Sequence, residues 1–312
     1  MNSNRLLILG VTGSGKGRLA FDLAEAMGGE IISIDSMKVY RRMDIGTAKP
    51  SKQARERIKY HLIDVVEPSE AFSVGSFLEM AQEAIEQIER RKKKIIAVGG
   101  TALYIKALLY GLFEGPGADE QIRAELQAEA EDKGSEELYK ELAKIDPAAA
   151  ENISPNDAKR IIRALEVYKI TGKPISSLQQ QWGGQKAGGW TMIGLRREKS
   201  IENKNINKRV KKMIAEGLVD EVKRLLSEAK PLSKQARCAI GYAEIIDYLS
   251  GKLGLEDVIE LIKKNSRRLA KSQRTWFKTF RDVHWLDIGD EEPPEKILNR
   301  TMTLLTNIST NR

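Results

Sequence analysis

The chain has 312 residues, enough at about 150 per domain for roughly two domains, or for one core carrying a sizeable insertion. Its 41% hydrophobic and 31% charged composition, with no apolar run near the roughly 20 residues of a membrane helix, excludes membrane-spanning and disordered classes. Lys and Arg exceed Asp and Glu by 52 to 44, and residues 196–282 alone hold 22 basic against 12 acidic residues; the remainder is slightly acidic, and a polyanionic partner is expected for the C-terminal half. One cysteine, Cys238, cannot close an internal disulfide, and with His61 and His284 it makes no zinc cluster. A cytoplasmic protein without zinc is expected, since the apolar run Leu6 to Leu9 is too short for a secretory signal.

Arg5-Leu-Leu-Ile-Leu-Gly10 predicts a buried strand, followed by a glycine-rich loop and a helix through Leu19, Leu23 and Met27. Glu30 to Asp35 and Lys94 to Gly99 predict two more strands, the second preceded by a helix over about 73–91. This alternation points to a parallel α/β sheet. Glu114-Gly-Pro-Gly117 then breaks the chain, and only helical patterns follow from Asp119 to about Gln181, closed by Gly183-Gly184 and Gly188-Gly189. Trp190 to Leu195 returns to strand character, and basic amphipathic helices run from Ile201 to about Phe280. The expected organisation is therefore a phosphate-loop-type parallel sheet core over 1–115 and 190–290, an all-helical insertion over 116–189, and a C-terminal tail over 291–312.

Gly10-Val-Thr-Gly-Ser-Gly15-Lys16-Gly17 fits G-x-x-x-x-G-K between a strand and a helix, where converging amides, a helix N-terminus and a lysine hold phosphate oxygens. Gly10, Thr12, Gly13, Ser14, Gly15, Lys16 and Gly17 are the candidate contacts. Gly17 stands where a hydroxyl residue usually holds Mg²⁺, so metal binding is weakened or rerouted and the metal ligands stay unassigned. A kinase or ATPase needs an acid to organise metal and water. The strand ending at Gly99 carries none, and Asp35 is the one candidate at a strand end, as base, metal ligand or simple turn cap.

The loop at Gly10 to Gly17, the segment Asp35-Ser-Met-Lys-Val-Tyr-Arg-Arg-Met-Asp-Ile-Gly-Thr-Ala-Lys-Pro50 and Gly99-Gly-Thr-Ala-Leu-Tyr104 closely resemble bacterial tRNA dimethylallyltransferases, also called tRNA isopentenyltransferases. Asp119 to Arg123, Lys159 to Glu166, Lys208 to Met213, Ala239 to Tyr242 and Ala270 to Phe277 extend the resemblance over nearly the whole chain in the family's order. The resemblance implies transfer of a dimethylallyl group from its diphosphate to N6 of the adenosine 3′ of the anticodon. It implies Asp35 as proton acceptor, Thr101 against the target adenosine, and Lys16 with Arg209 on the diphosphate. It implies Mg²⁺ as cofactor, and a tRNA anticodon stem-loop and dimethylallyl diphosphate as partners; no membrane partner and a monomer are expected. By the same carry-over Asp35, Ser36, Met37, Lys38, Thr101, Arg123, Lys159, Arg160, Arg163, Gly241, Tyr242, Lys271 and Arg274 approach the tRNA.

Independently of the resemblance, Lys263, Lys264, Arg267, Arg268, Lys271, Arg274, Lys278 and Arg281 recur every three or four residues, with no acid from Leu261 to Arg281. They are expected to form one helical stripe along the RNA backbone, with Leu261, Ile262, Leu269, Trp276, Phe277 and Phe280 on the other faces. Against the family pattern, Gly17, Asn205, Cys238 and Ser272 are departures that bear on turnover and metal dependence. A small-molecule kinase, a non-catalytic RNA-binding relative and a transferase acting on free adenine nucleotides are the alternatives. ATP turnover, the absence of modified adenosine in cellular tRNA, and an idle basic stripe would mark them respectively.

Overall fold

The computed structural model describes residues 4–112, 115–178 and 189–310. They divide into two compact units, one formed by Met1–Leu109 with Ala187–Arg312 and the other by Tyr110–Lys186. Glu114 and the stretch 179–188, with Gly183, Gly184 and Gly188 expected to close the helical segment, lie outside the described residues.

The chain opens with β1 (Arg5–Gly10), α1 (Lys16–Met27), β2 (Glu30–Ile34), α2 (Lys52–Arg57), β3 (Tyr60–His61), α3 (Val74–Arg90), β4 (Ile95–Gly99) and α4 (Ala102–Tyr110). Helices α5 (Glu120–Lys133), α6 (Ser135–Ile145), α7 (Pro147–Ala150), α8 (Ala158–Thr171) and α9 (Ile175–Leu178) follow. They close around Leu126, Leu138, Leu142, Ile161 and Leu165, an apolar core belonging to the second unit alone. The first unit resumes with β5 (Trp190–Arg196), α10 (Lys199–Ala215), α11 (Leu218–Leu226), α12 (Lys234–Arg237), α13 (Tyr242–Leu249), α14 (Leu255–Phe277), β6 (Val283–Asp287) and α15 (Pro294–Thr310).

All six strands are parallel, in the order β3-β2-β4-β1-β5-β6. A parallel sheet is covered on both faces, so its inner strands need near-continuous apolar runs. Leu6 to Gly10 of β1 and the whole of β2 are buried accordingly. On one face Leu19 and Leu23 of α1 and Ile297 of α15 pack with Leu6 and Ile8, so the C-terminal helix is part of the core's wall. Helix α3 buries Phe77, Ala81 and Ile85 and lies along β2 and β4.

The edge strands were not foreseen. Strand β3 is only two residues, and its His61 lies on the carboxylate of buried Glu30 at 2.7 Å. Strand β6 reads Val-His-Trp-Leu-Asp, with only Leu286 buried. The strand order matters for function: β4 sits between β1 and β2, so the chain leaves β1, β2 and β4 at three neighbouring carboxyl ends. Ligands of open α/β sheets bind outside those ends, where the strand order switches.

Candidate active site

A cleft of about 1160 Å³ opens over those three strand ends. Its floor is the loop between β1 and α1. Gly13 and Gly15 take φ angles of 81° and 93°, left-handed values that a side chain would strain, and Gly15 precedes α1 without a side-chain cap. Not every amide of the loop serves a ligand, as the sequence had suggested. The Thr12 N–H donates to Gln273 Oε1 at 2.8 Å, and the Ser14 N–H to the Val11 carbonyl at 3.2 Å. The amides of Gly13, Gly15 and Gly17 have no partner among the described residues. They are the ones positioned to accept an anion.

Lys16 leads α1, and its Nζ donates to the Val11 carbonyl at 3.2 Å. Burial, reinforced by neighbouring Lys38 and Arg209 and opposed by Asp35, lowers its ammonium to about 7. Burial likewise lowers Lys38 and Arg209, with Asp35 raising both. The Nε of Arg209 is buried without a hydrogen-bond partner. Three cations thus crowd one carboxylate.

That carboxylate follows β2. Asp35 Oδ1 accepts the amides of Met37 at 2.9 Å and Lys38 at 3.2 Å, a turn-capping arrangement. The cap and the functional reading coexist, because Oδ2 accepts no hydrogen bond among the described residues. Thr101, just after β4, accepts the Ser36 amide on its Oγ1 at 3.2 Å. Gly99 and Gly100 make this approach possible: a Cβ on the first would overlap the Ile34 carbonyl, and one on the second the Gln273 amide. Gln273 of α14 closes the arrangement. Besides accepting from Thr12, it donates from Nε2 to the Gly100 carbonyl at 2.9 Å. One buried side chain therefore ties the phosphate loop to the loop carrying Thr101.

Ser36, Met37, Lys38 and Gly241 line the cleft. Tyr242 lines it with a ring edge but is buried beneath Gly46, and its hydroxyl donates to Glu221 Oε1 at 2.6 Å. Glu221 also accepts the amides of Asp44, Ile45 and Gly46 at 2.9–3.3 Å, so Tyr242 and Glu221 act as a buttress for the loop at the cleft's mouth. Burial and Glu221 push the Tyr242 phenol far up, keeping it neutral.

The basic residues sort differently from the single stripe expected. On α14 Lys263 is buried and pairs with exposed Glu260 one turn earlier, while Arg267 and Arg274 turn inward to Asn207 and buried Glu202. Lys264, Arg268, Lys271 and Lys278 form the exposed face. In the second unit Arg123 and Arg163 converge on Glu166, which is fully buried, whereas Lys159 and Arg160 of α8 are exposed. Sequence reading missed four basic cleft residues, Arg18, Arg57, Lys208 and Lys212, and the i, i+4 spacing of the last two around Arg209 was the available signal.

A family model described as IPP transferase matches residues 38–280. The chain belongs to the IPP transferase family. It is 45% identical over 283 residues to a tRNA dimethylallyltransferase of Geobacter metallireducens, covering 90% of this chain and 92% of that one. It is 43% identical to one of Acetivibrio thermocellus, covering 95% of each. A tRNA isopentenylpyrophosphate transferase structure from Bacillus halodurans superposes with TM-score 0.70 at 39% identity, over 98% of both chains. A eukaryotic dimethylallyltransferase described as acting on tRNA superposes with TM-score 0.82 at 30% identity, over 99% of this chain and 80% of that one.

Whether this IPP transferase offers Mg²⁺ a seat can be tested on its donor set. Magnesium takes oxygen ligands in near-octahedral geometry. Among the described residues lining the cleft Asp35 is the only carboxylate, against seven basic side chains, and no group of three potential acidic, His or Cys ligands occurs. One Asp35 oxygen is committed to two amides, and Gly17 supplies no hydroxyl. The residues present do not build a magnesium site.

Proposed function

We propose that this IPP transferase moves the dimethylallyl group of dimethylallyl diphosphate to N6 of the adenosine 3′ of the anticodon in tRNA. The observation that carries the reading is one cleft in which a phosphate loop, a strand-end carboxylate and Thr101 meet, with seven basic side chains for one acid. Near-full-length similarity to proteins bearing that activity's name supports it.

The chemistry follows from the placement. The diphosphate lies on the amides of Gly13, Gly15 and Gly17, with Lys16 and Arg209 beside it. As the carbon–oxygen bond breaks, its electron pair leaves with the diphosphate, and charge develops where preorganised donors already stand. The adenosine N6 lone pair forms the new carbon–nitrogen bond, and the surplus N6 proton passes to Asp35 Oδ2. Thr101 holds the base, and Ser36, Met37, Lys38 and Gly241 border its entrance. A base in a single-stranded loop can be splayed into such a cleft at a cost of a few kcal/mol. The exposed face of α14 and, on the second unit, Lys159 and Arg160 contact the RNA backbone, while Arg123 and Arg163 are held on buried Glu166.

Mass spectrometry of one tRNA incubated with the protein and dimethylallyl diphosphate tests the reading. One dimethylallyl mass increment on the adenosine next to the anticodon is expected. An unmodified tRNA, with ATP consumed instead, would replace transfer by kinase chemistry.

A further inference from the structure

The disagreement between the cleft and a resident magnesium ion has a consequence for the donor site. It rests on the reading of the phosphate loop as a diphosphate seat. A multiply charged diphosphate needs counter-charge, supplied either by a metal that protein oxygens help to hold or by protein cations. Here the basic groups are in place before any ligand arrives: Lys16, Lys38 and Arg209 neighbour one another around Asp35, and a bound anion favours the charged form of each. The buried Arg209 Nε lacks a hydrogen-bond partner, an unmet donor on a side chain that lines the cleft. The oxygen side is poor. Among the described residues Asp35 is the sole lining carboxylate and one of its oxygens is used, and a divalent ion beside it would compete with three basic groups for that carboxylate.

Gly17 is the residue where the two solutions diverge. It lies in the first turn of α1 with a helical backbone, and a Cβ built on it meets nothing within 4 Å. A threonine or serine would therefore fit without displacing a neighbour, and glycine is not required there by space or by a left-handed φ. We infer that this chain seats the diphosphate by protein cations and free glycine amides alone, and that Gly17 withholds the hydroxyl through which a divalent cation would be coupled to that seat.

Isothermal titration calorimetry of the full chain with inorganic diphosphate, in EDTA and in millimolar MgCl2 at matched ionic strength, tests this. The parent's Kd is expected to agree between the two buffers within about threefold, and Gly17→Thr to bind about tenfold more tightly with MgCl2 than with EDTA. Arg209→Gln should weaken binding about tenfold or more in EDTA, because the cation there replaces the metal. A parent that loses tenfold or more of its affinity in EDTA overturns the inference. So does a Gly17→Thr variant as indifferent to magnesium as the parent. Absence of diphosphate binding in both buffers would remove the diphosphate reading of the loop itself, a different failure from metal dependence.

Discussion

Gln273→Ala is the change whose outcome the structure constrains most closely. The side chain is 8% exposed, accepts from the Thr12 amide at 2.8 Å and donates to the Gly100 carbonyl at 2.9 Å. Truncation strands two buried backbone groups at about 1–3 kcal/mol each, so about 2–6 kcal/mol if both stay dry. Gln273 borders the cleft, so water can enter the vacated space and rehydrate part of the pair, and the lower half of that range, about 2–4 kcal/mol, is expected. Catalysis should suffer beyond stability. The bridge fixes the diphosphate loop relative to Thr101, and a misplacement of about 1 Å between reacting groups costs about 10²-fold. Gln273→Glu divides the two bonds: it keeps an acceptor for Thr12 but sets a carboxylate against the Gly100 carbonyl. Its transfer rate should resemble that of Gln273→Ala. Urea unfolding gives the stability, and single-turnover transfer to a tRNA at saturating donor gives the rate. A Gln273→Ala variant within about 0.5 kcal/mol of the parent, transferring at the parent's rate, would refute the bridge.

Asp35→Asn keeps the Oδ1 cap on Met37 and Lys38 while removing the base; it should lower the single-turnover rate by about 10²–10⁴-fold with tRNA affinity nearly unchanged, and a parental rate would exclude Asp35 as proton acceptor. Lys16, lowered to about 7, is mostly neutral in the free protein at pH 8, and a bound anion favours its charged form. Diphosphate binding at pH 8 should then take up about one proton more in the parent than in Lys16→Met, with the parent's affinity advantage shrinking as pH rises through 7; equal uptake, from calorimetry in buffers of differing ionisation enthalpy, contradicts this. Changing Lys264, Arg268 and Lys271 together to Gln should reduce the slope of log tRNA affinity against log salt by about two to three, whereas the same change at Lys263, Arg267 and Arg274 should chiefly lower the melting temperature. An unaltered slope in the first triple variant would move the RNA surface to Lys159 and Arg160.

Much of the core was legible because buried parallel strands need unbroken apolar runs, and β1, β2, β4 and β5 are such runs flanked by glycine or charge. The phosphate loop was legible because its spacing encodes a backbone geometry. Strands β3 and β6 were not, since two residues carry no period and half-buried edge strands mix polar with apolar positions. Glu221 and Gln273 escaped for another reason. Each acts on backbone groups more than 170 residues away, and no local pattern announces a partner at that separation. The inward turn of Arg274 has the same origin: its acid, Glu202, lies on α10, 72 residues earlier.

The positive surplus of residues 196–282 therefore cannot be read as one RNA-binding surface, because the fold divides it by the partner each cation meets. Arg274 and Arg267 lie between α10 and α14, where a buried carboxylate and an amide oxygen compensate them; their loss would leave Glu202 charged and alone. Arg209 stands on the cleft wall, its Nε buried, with Asp35 as its opposite charge, a balance that is unfavourable in the empty protein and is relieved when an anion enters, while exposed Lys208 and Lys212 flank it, Lys212 at 3.5 Å from Glu216. Lys264, Arg268, Lys271 and Lys278 meet only solvent and carry the long-range field that draws a polyanion. Arg209, desolvated by burial, costs folding free energy that the exposed cations do not. A protein keeps uncompensated cations in a cleft when a ligand supplies the missing charge, and that imbalance, more than the total of +8, marks this cleft as an anion's seat.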